Sequence, residues 1–489
     1  MSESILPDSP SSSDEIAAAM SRIVEEQAEK IDEEHAELKR DEDPRVKFRE
    51  ITEAVIRPIG SPSIWWYVSL VLTLWMIIVG AISWGYQIYR GMGVTGMQHP
   101  MMWAVYITNF VWWIALAHSG TFISAILYLF RAPFRATFSR LSEAMTCVAV
   151  ITAALFPMIH LGRTWRLYWV LPYPSERWIW PNFRSPLILD VFAVGTYLTV
   201  SILFFWLGLL PDLAVCRDRL RGWRRNIYGW FSMGWDGTHR QWKNYEMAYA
   251  IMACLAAPLV LSVHSCVSWD FALGLVPGWH STMFAPYFVD GAIFQGLATV
   301  IVIAIPMRKL LHLEEYITPQ RLDQLAKLVL LTGLALTWSY CSEFFMTWYK
   351  HDPSELVNLA HKMWGAPAIM FWMYNFFNCI VPLAFCWKWA RRNLWSLWIV
   401  GFLIIVGMWL ERFIIVSVSL SRDYDPYSWF RGGYHFSAVE MGITVGSVGW
   451  FCFWMLLFCK FLPVLPMSDL KRDVLKNLRD RDAKKAARL

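Results

Sequence analysis

Long stretches of this chain carry no charge. Ten apolar runs lie near 64–89, 101–130, 141–161, 187–210, 244–264, 282–306, 325–349, 367–387, 395–415 and 438–462. Each is close to the ~20 residues a helix needs to cross a hydrocarbon layer of roughly 30 Å. The pattern predicts an all-α integral membrane fold of about ten transmembrane helices.

Composition and charge sharpen this picture. Of 489 residues 56% are hydrophobic and 17% charged, with 30 Trp, more apolar surface than a soluble core absorbs. The N-terminal segment, alternate connections and the C-terminal tail hold 32 of the 44 Lys and Arg, the other five connections hold 9, and Lys327, Arg412 and Lys460 fall inside the runs. Positive loops stay cytoplasmic, so both termini are expected inside. Arg163, Arg166, Arg177 and Arg184 crowd one outer loop and need a separate reason. Residues 1–60 contain no apolar signal-peptide core. Ile16, Met20, Ile23, Val24 and Ile31 recur at helical spacing among acids, which suggests a cytoplasmic amphipathic helix over 14–39 or a solvated tail. The Arg- and Trp-rich stretch 217–231 suits an interfacial helix on anionic lipid, and its few charges fit nucleic acid poorly.

The nine cysteines form no C-x-x-C pair, so no iron–sulfur cluster or zinc site is expected on this chain. Walker, G-x-G-x-x-G and H-E-x-x-H motifs are also missing from the sequence. The chemistry therefore rests on ionisable residues in the spans, where a charge costs at least ~2.5 kcal/mol at a helix centre. His160 ends span 3 on the outer side, Asp190 lies about one turn into span 4, and His264 and Asp270 end span 5. Three consecutive spans thus bring an imidazole and carboxylates to one face. Quinol oxidation requires such a pair, because a hydroquinone losing electrons must give up two protons to waiting acceptors.

Plainer readings stand beside this one. His160 and Arg163 can be interfacial residues, Asp190 can stabilise a helix N-terminus, and Asp270 can be a solvated turn residue after Trp269. His264 can bond helix backbone. His118, deep in span 2, suits an interhelical hydrogen bond as well as substrate contact. Asp290, Glu343, Glu411 and Glu440 fall in the outer halves of spans 6, 7, 9 and 10 and are candidates for a proton path; Glu411 with Arg412 can equally be a local ion pair. Glu143 and Glu246 read as acids at helix starts. A haem subunit needs facing histidines on two spans, and no second histidine matches the depth expected for His118.

Several strings, FPMIHLGRTW, PNFRSPLILDVFAVGTYL, FWLGLLPDLAVCRD, LVLSVHSCVSWDFAL and MWLERFIIVSVSLSRDYDP, resemble the NrfD-like polysulfide-reductase membrane subunits over roughly 60–465. Within that family the likeness is strongest to the ActC-type quinol-oxidising subunit of bacterial alternative complex III. The resemblance implies two pseudo-repeated four-helix bundles, 101–264 and 265–437, between flanking helices in 61–100 and 438–462. A charged segment 1–60 and a basic tail 463–489 complete the expected division. His160 and Asp190 match the family's catalytic positions, and Asp270, His264, Arg163 and His118 would line the quinol or menaquinol site.

The resemblance further implies a bacterial inner-membrane location and an outer iron–sulfur partner subunit. A second NrfD-like membrane subunit, c-type cytochrome subunits and a terminal oxidase are the other implied partners, besides lipid. No haem or cluster is expected on this chain. Within the same family, a quinone-reducing anchor of a molybdopterin or iron–sulfur oxidoreductase is the alternative, as is a module with no quinol site of its own.

Overall fold

A computed structural model describes residues 44–60, 63–132, 134–171, 186–281, 283–427 and 434–486. In chain order the helices are α1 (Pro44–Gly60), α2 (Ile64–Arg90), α3 (Val105–Thr121), α4 (Arg135–His160), α5 (Pro186–Arg219), α6 (Trp223–Phe231), α7 (His239–Ala272) and α8 (Phe284–Leu310). They continue as α9 (Pro319–Lys350), α10 (Pro353–Trp364), α11 (Ala368–Asn375), α12 (Lys388–Arg392), α13 (Leu394–Phe413), α14 (Ala438–Phe461) and α15 (Met467–Ala486). Ten helical segments among the described residues are long and apolar enough to cross a membrane: α2, α3, α4, α5, α7, α8, α9, α11, α13 and α14, with α3, α11 and α13 running on through irregular turns. This is an all-α, multi-pass membrane protein. The amphipathic helix expected over 14–39 lies outside the described residues, as do Arg177 and Arg184.

The chain divides into two compact units, Met1–Glu53 with Asp469–Leu489, and Ala54–Ser468. In the first, the Lys471 ammonium lies 5.9 Å from the Phe48 ring. The second holds the spans. The face where α2 begins and α14 ends is termed inner below.

Burial separates central from peripheral spans. The apolar stretches of α3 and α8 are 82% and 72% buried, whereas that of α2 is 11% buried and faces lipid. α3 packs on α4 and α8, and α8 also contacts α7, α9 and α13. α2 is held by α14 through small residues: a methyl group added to Gly80 would come within 2.6 Å of Gly446 Cα. Such close backbone approach is how helices associate in lipid, where burial of apolar surface gives no driving force between them.

Three spans contain a π-helical turn, at Phe122–Ile126, Phe376–Ile380 and Ile414–Val418. Two of these follow a buried polar group, His118 in α3 and the Glu411–Arg412 pair in α13, in keeping with the concentration of π-turns at functional positions. The turn in α13 leaves the Ile415 carbonyl free to accept from Trp279 Nε1 at 2.7 Å. Pro382 falls in the 3-10 stretch Val381–Cys386 that ends span 8, where a missing N–H and a fixed φ favour a break from regular helix.

Candidate functional site

The outer ends of α4, α5 and α7 carry the first cluster. α5 packs along both neighbours, which places Asp190, one turn from Pro186, opposite the last turns of α7. Asp270 belongs to α7 and not to a turn, because the helix continues to Ala272. Its carboxyl group lies within reach of that of Asp190. Two buried carboxyl groups this close bond to each other only with one proton between them, and in that state such a pair carries one negative charge and can accept one further proton. Asp190 is 7% exposed. The remaining oxygens, Asp190 Oδ1 and Asp270 Oδ1, are buried without a partner, as is His160 Nδ1 at the end of α4.

These three unpartnered atoms offer the acceptors a dihydroxy ring needs. Cys266 lies close enough to feel both carboxylates. On the far side of His160, the Ile159 carbonyl accepts from Gln87 Nε2 at 2.9 Å, tying the end of α4 to α2. Of the outer arginines, Arg163 is exposed at the turn after α4, and Arg166 stacks over Trp169 at 4.4 Å.

His264 is placed differently from its sequence expectation. It points into the bundle, fully buried, with its ring centroid 4.5 Å from that of His118 on α3. A second histidine therefore does match the depth of His118. The pair does not have the geometry of haem axial ligands, since rings in edge contact leave no space for a porphyrin between them. His118 Nδ1 bonds the Ile114 carbonyl of its own helix at 2.6 Å, not a neighbouring helix, and its ring stacks on Tyr197 at 5.1 Å. His118 Nε2 and both nitrogens of His264 have no partner.

Phe288 connects this pair to the second half of the chain. The His264 ring lies 6.0 Å from Phe288, and the Arg412 guanidinium covers the same ring at 4.2 Å. Arg412 and Glu411 are both fully buried and paired at 2.9 Å, so they are not an interfacial pair. Tyr287 donates to Glu411. Beyond it lies a cavity of about 50 Å³ whose lining includes Tyr340, Glu343, Glu355, Asn358 and Lys362, large enough for a water molecule or two. Glu343 accepts from Ser281 at 2.8 Å. Asp290 is half-buried on α8 with Oδ2 unpartnered. Glu440 stands apart from these acids: it closes a capping box with Ser437 at the start of α14 and also accepts from the Gly96 amide at 3.1 Å.

The sequence reading missed a buried cluster near the inner end of α4. Glu143 is not at a helix start, because α4 begins at Arg135. Arg140 reaches Asp212 at 2.9 Å and Glu143 at 3.3 Å, and Tyr249 donates to Glu143 at 3.0 Å. The spacing of Arg140 and Glu143, one helical turn, was the available signal. Glu246 likewise does not start its span, since Thr238 and Gln241 form a capping box at the head of α7.

Residues 93–422 match the family model described as polysulphide reductase, NrfD. The chain belongs to the NrfD polysulphide reductase family. The match spans His118, His160, Asp190, His264, Asp270, Asp290, Glu343 and Glu411, and excludes Glu440. A Halobacterium salinarum protein, named as a membrane subunit of a dimethyl sulfoxide reductase, is 27% identical over 231 residues. The alignment covers 47% of this NrfD-family chain and 49% of the relative, so the chain spans about half the length of that protein.

Proposed function

We propose that this chain is the quinol-oxidising membrane subunit of a respiratory complex of the alternative complex III type, located in a bacterial inner membrane with both termini cytoplasmic. The observation that carries the reading is the outer rim of α4, α5 and α7, where one imidazole and a carboxyl pair each present a buried, unpartnered acceptor. A quinol releases two protons and two electrons on becoming a quinone. His160 Nδ1 accepts the proton of one hydroxyl, and the Asp190–Asp270 pair, with capacity for one proton, accepts the other. Both protons leave on the outer side. The two electrons pass to a partner, an iron–sulfur subunit docked on the outer face, and onward through c-type cytochromes toward a terminal oxidase. Arg163, exposed beside the site, suits contact with that partner.

The name of the Halobacterium relative favours a second reading, the membrane subunit of a complex whose partner reduces a terminal acceptor such as a sulfoxide. The same residues then still accept the two quinol protons, and the two electrons go to the reductase partner; a partner of lower potential than the quinone would run the site in reverse, with these residues as proton donors. To test the site, menaquinol oxidation is measured in membranes carrying the complex with His160→Ala, with assembly followed by co-purification of partners. Turnover should be lost in an assembled complex. Wild-type turnover in that variant would remove His160 from the chemistry.

A further inference from the structure

The connection between the eighth and ninth spans holds an unusual set of charges. Arg391 Nε binds Asp323 at 2.8 Å, and Arg391 Nη1 binds the Phe385 and Cys386 carbonyls at 2.6 and 3.0 Å. Lys327 completes the neutralisation of Asp323 at 2.9 Å. Lys388 and Arg392, four residues apart on α12, are exposed and make no hydrogen bond or ion pair among the described residues. They line a surface groove of about 460 Å³ together with Trp389 and Asn393. No acid lines it.

The groove lies in a short turn between two membrane spans, at the depth where lipid headgroups sit. Trp387, Trp389 and Trp395 around it are 66%, 73% and 73% exposed, as expected of indoles at a membrane–water boundary. Below it, Trp395, Ile399 and Phe402 form an exposed stripe along α13 at helical spacing. We propose that the groove binds an anionic phospholipid, its phosphodiester between Lys388 and Arg392 and an acyl chain along the Trp395–Ile399–Phe402 stripe. A zwitterionic headgroup fits less well, because its ammonium finds no carboxylate. Free phosphate would use the cations but not the stripe.

The test is native mass spectrometry of the detergent-extracted complex, delipidated and titrated with phosphatidylglycerol, phosphatidylcholine or inorganic phosphate. Each basic residue near an anionic headgroup is worth about fivefold in affinity, so K388Q/R392Q should weaken the tightest phosphatidylglycerol binding by about 30-fold. K388R/R392K should retain it, and phosphatidylcholine should show no such difference. R240Q/K243Q removes two exposed inner-face charges elsewhere and should leave that binding intact. Equal retention by wild type and K388Q/R392Q would overturn the proposal, as would equal loss in R240Q/K243Q. Competition by millimolar phosphate as effective as by the lipid would assign the groove to a soluble anion instead.

Discussion

Asp190→Asn isolates proton acceptance from structure. The amide has the shape of the carboxyl group and can donate to Asp270 in place of the shared proton, so the contact between α5 and α7 persists. It cannot take a proton from substrate, and Asp270 alone then faces the quinol while accepting the amide hydrogen bond. Positioned general bases contribute about 10²–10⁴ in rate, which corresponds to about 3–5 kcal/mol of barrier. Menaquinol oxidation followed with a dye acceptor, normalised to assembled complex, should therefore fall by at least about 100-fold with little change in thermal stability. Turnover within about threefold of wild type, well inside the effect expected of a lost base, would refute Asp190 as the accepting member of the pair. A matching loss of assembly would instead show that the pair is structural.

Other perturbations probe the rest of the frame. Arg412→Met leaves Glu411 buried without its cation and should cost about 3–5 kcal/mol, read as a lowered thermal midpoint in detergent; replacing both partners with apolar residues should recover much of that loss. Gly446→Leu drives a side chain into Gly80 and should destabilise by at least about 1–3 kcal/mol, with Gly446→Ala milder; an unchanged midpoint would deny the close approach of α2 and α14. Burial holds the Lys362 ammonium at about 8, below its ordinary 10.5. Between these values the unfolded chain binds more protons than the folded one, so this residue's contribution to stability rises from pH 8 to 10.5. In Lys362→Met that rise should vanish from the pH dependence of the thermal midpoint.

The spans were legible because apolar length is a local property, and a run of uncharged residues needs no partner to declare itself. The level of His160, Asp190 and Asp270 was legible for a similar reason: topology and helix rise place a residue along the membrane normal. Direction around the helix axis was not available in the same way. His264 and Asp270 are six residues apart on α7, far enough in phase for one to meet His118 inside the bundle while the other meets Asp190. Arg140, Asp212 and Tyr249 come from three helices, and only packing unites them. Glu143 misled because charged residues before it resembled a loop, although a buried guanidinium had already been brought into the helix to meet it.

The glycine seam between α2 and α14 has a consequence for biosynthesis. α2 finds its main packing partner in α14, which is made nine spans later among the described residues. Until translation of α14 ends, α2 must wait in the bilayer with Gly80 uncovered, tied to the earlier spans near its outer end, where Gln87 meets the Ile159 carbonyl. A chain terminated before Gly442 therefore presents an open small-residue face to quality-control proteases, and completeness of the polypeptide is checked by the membrane fold itself.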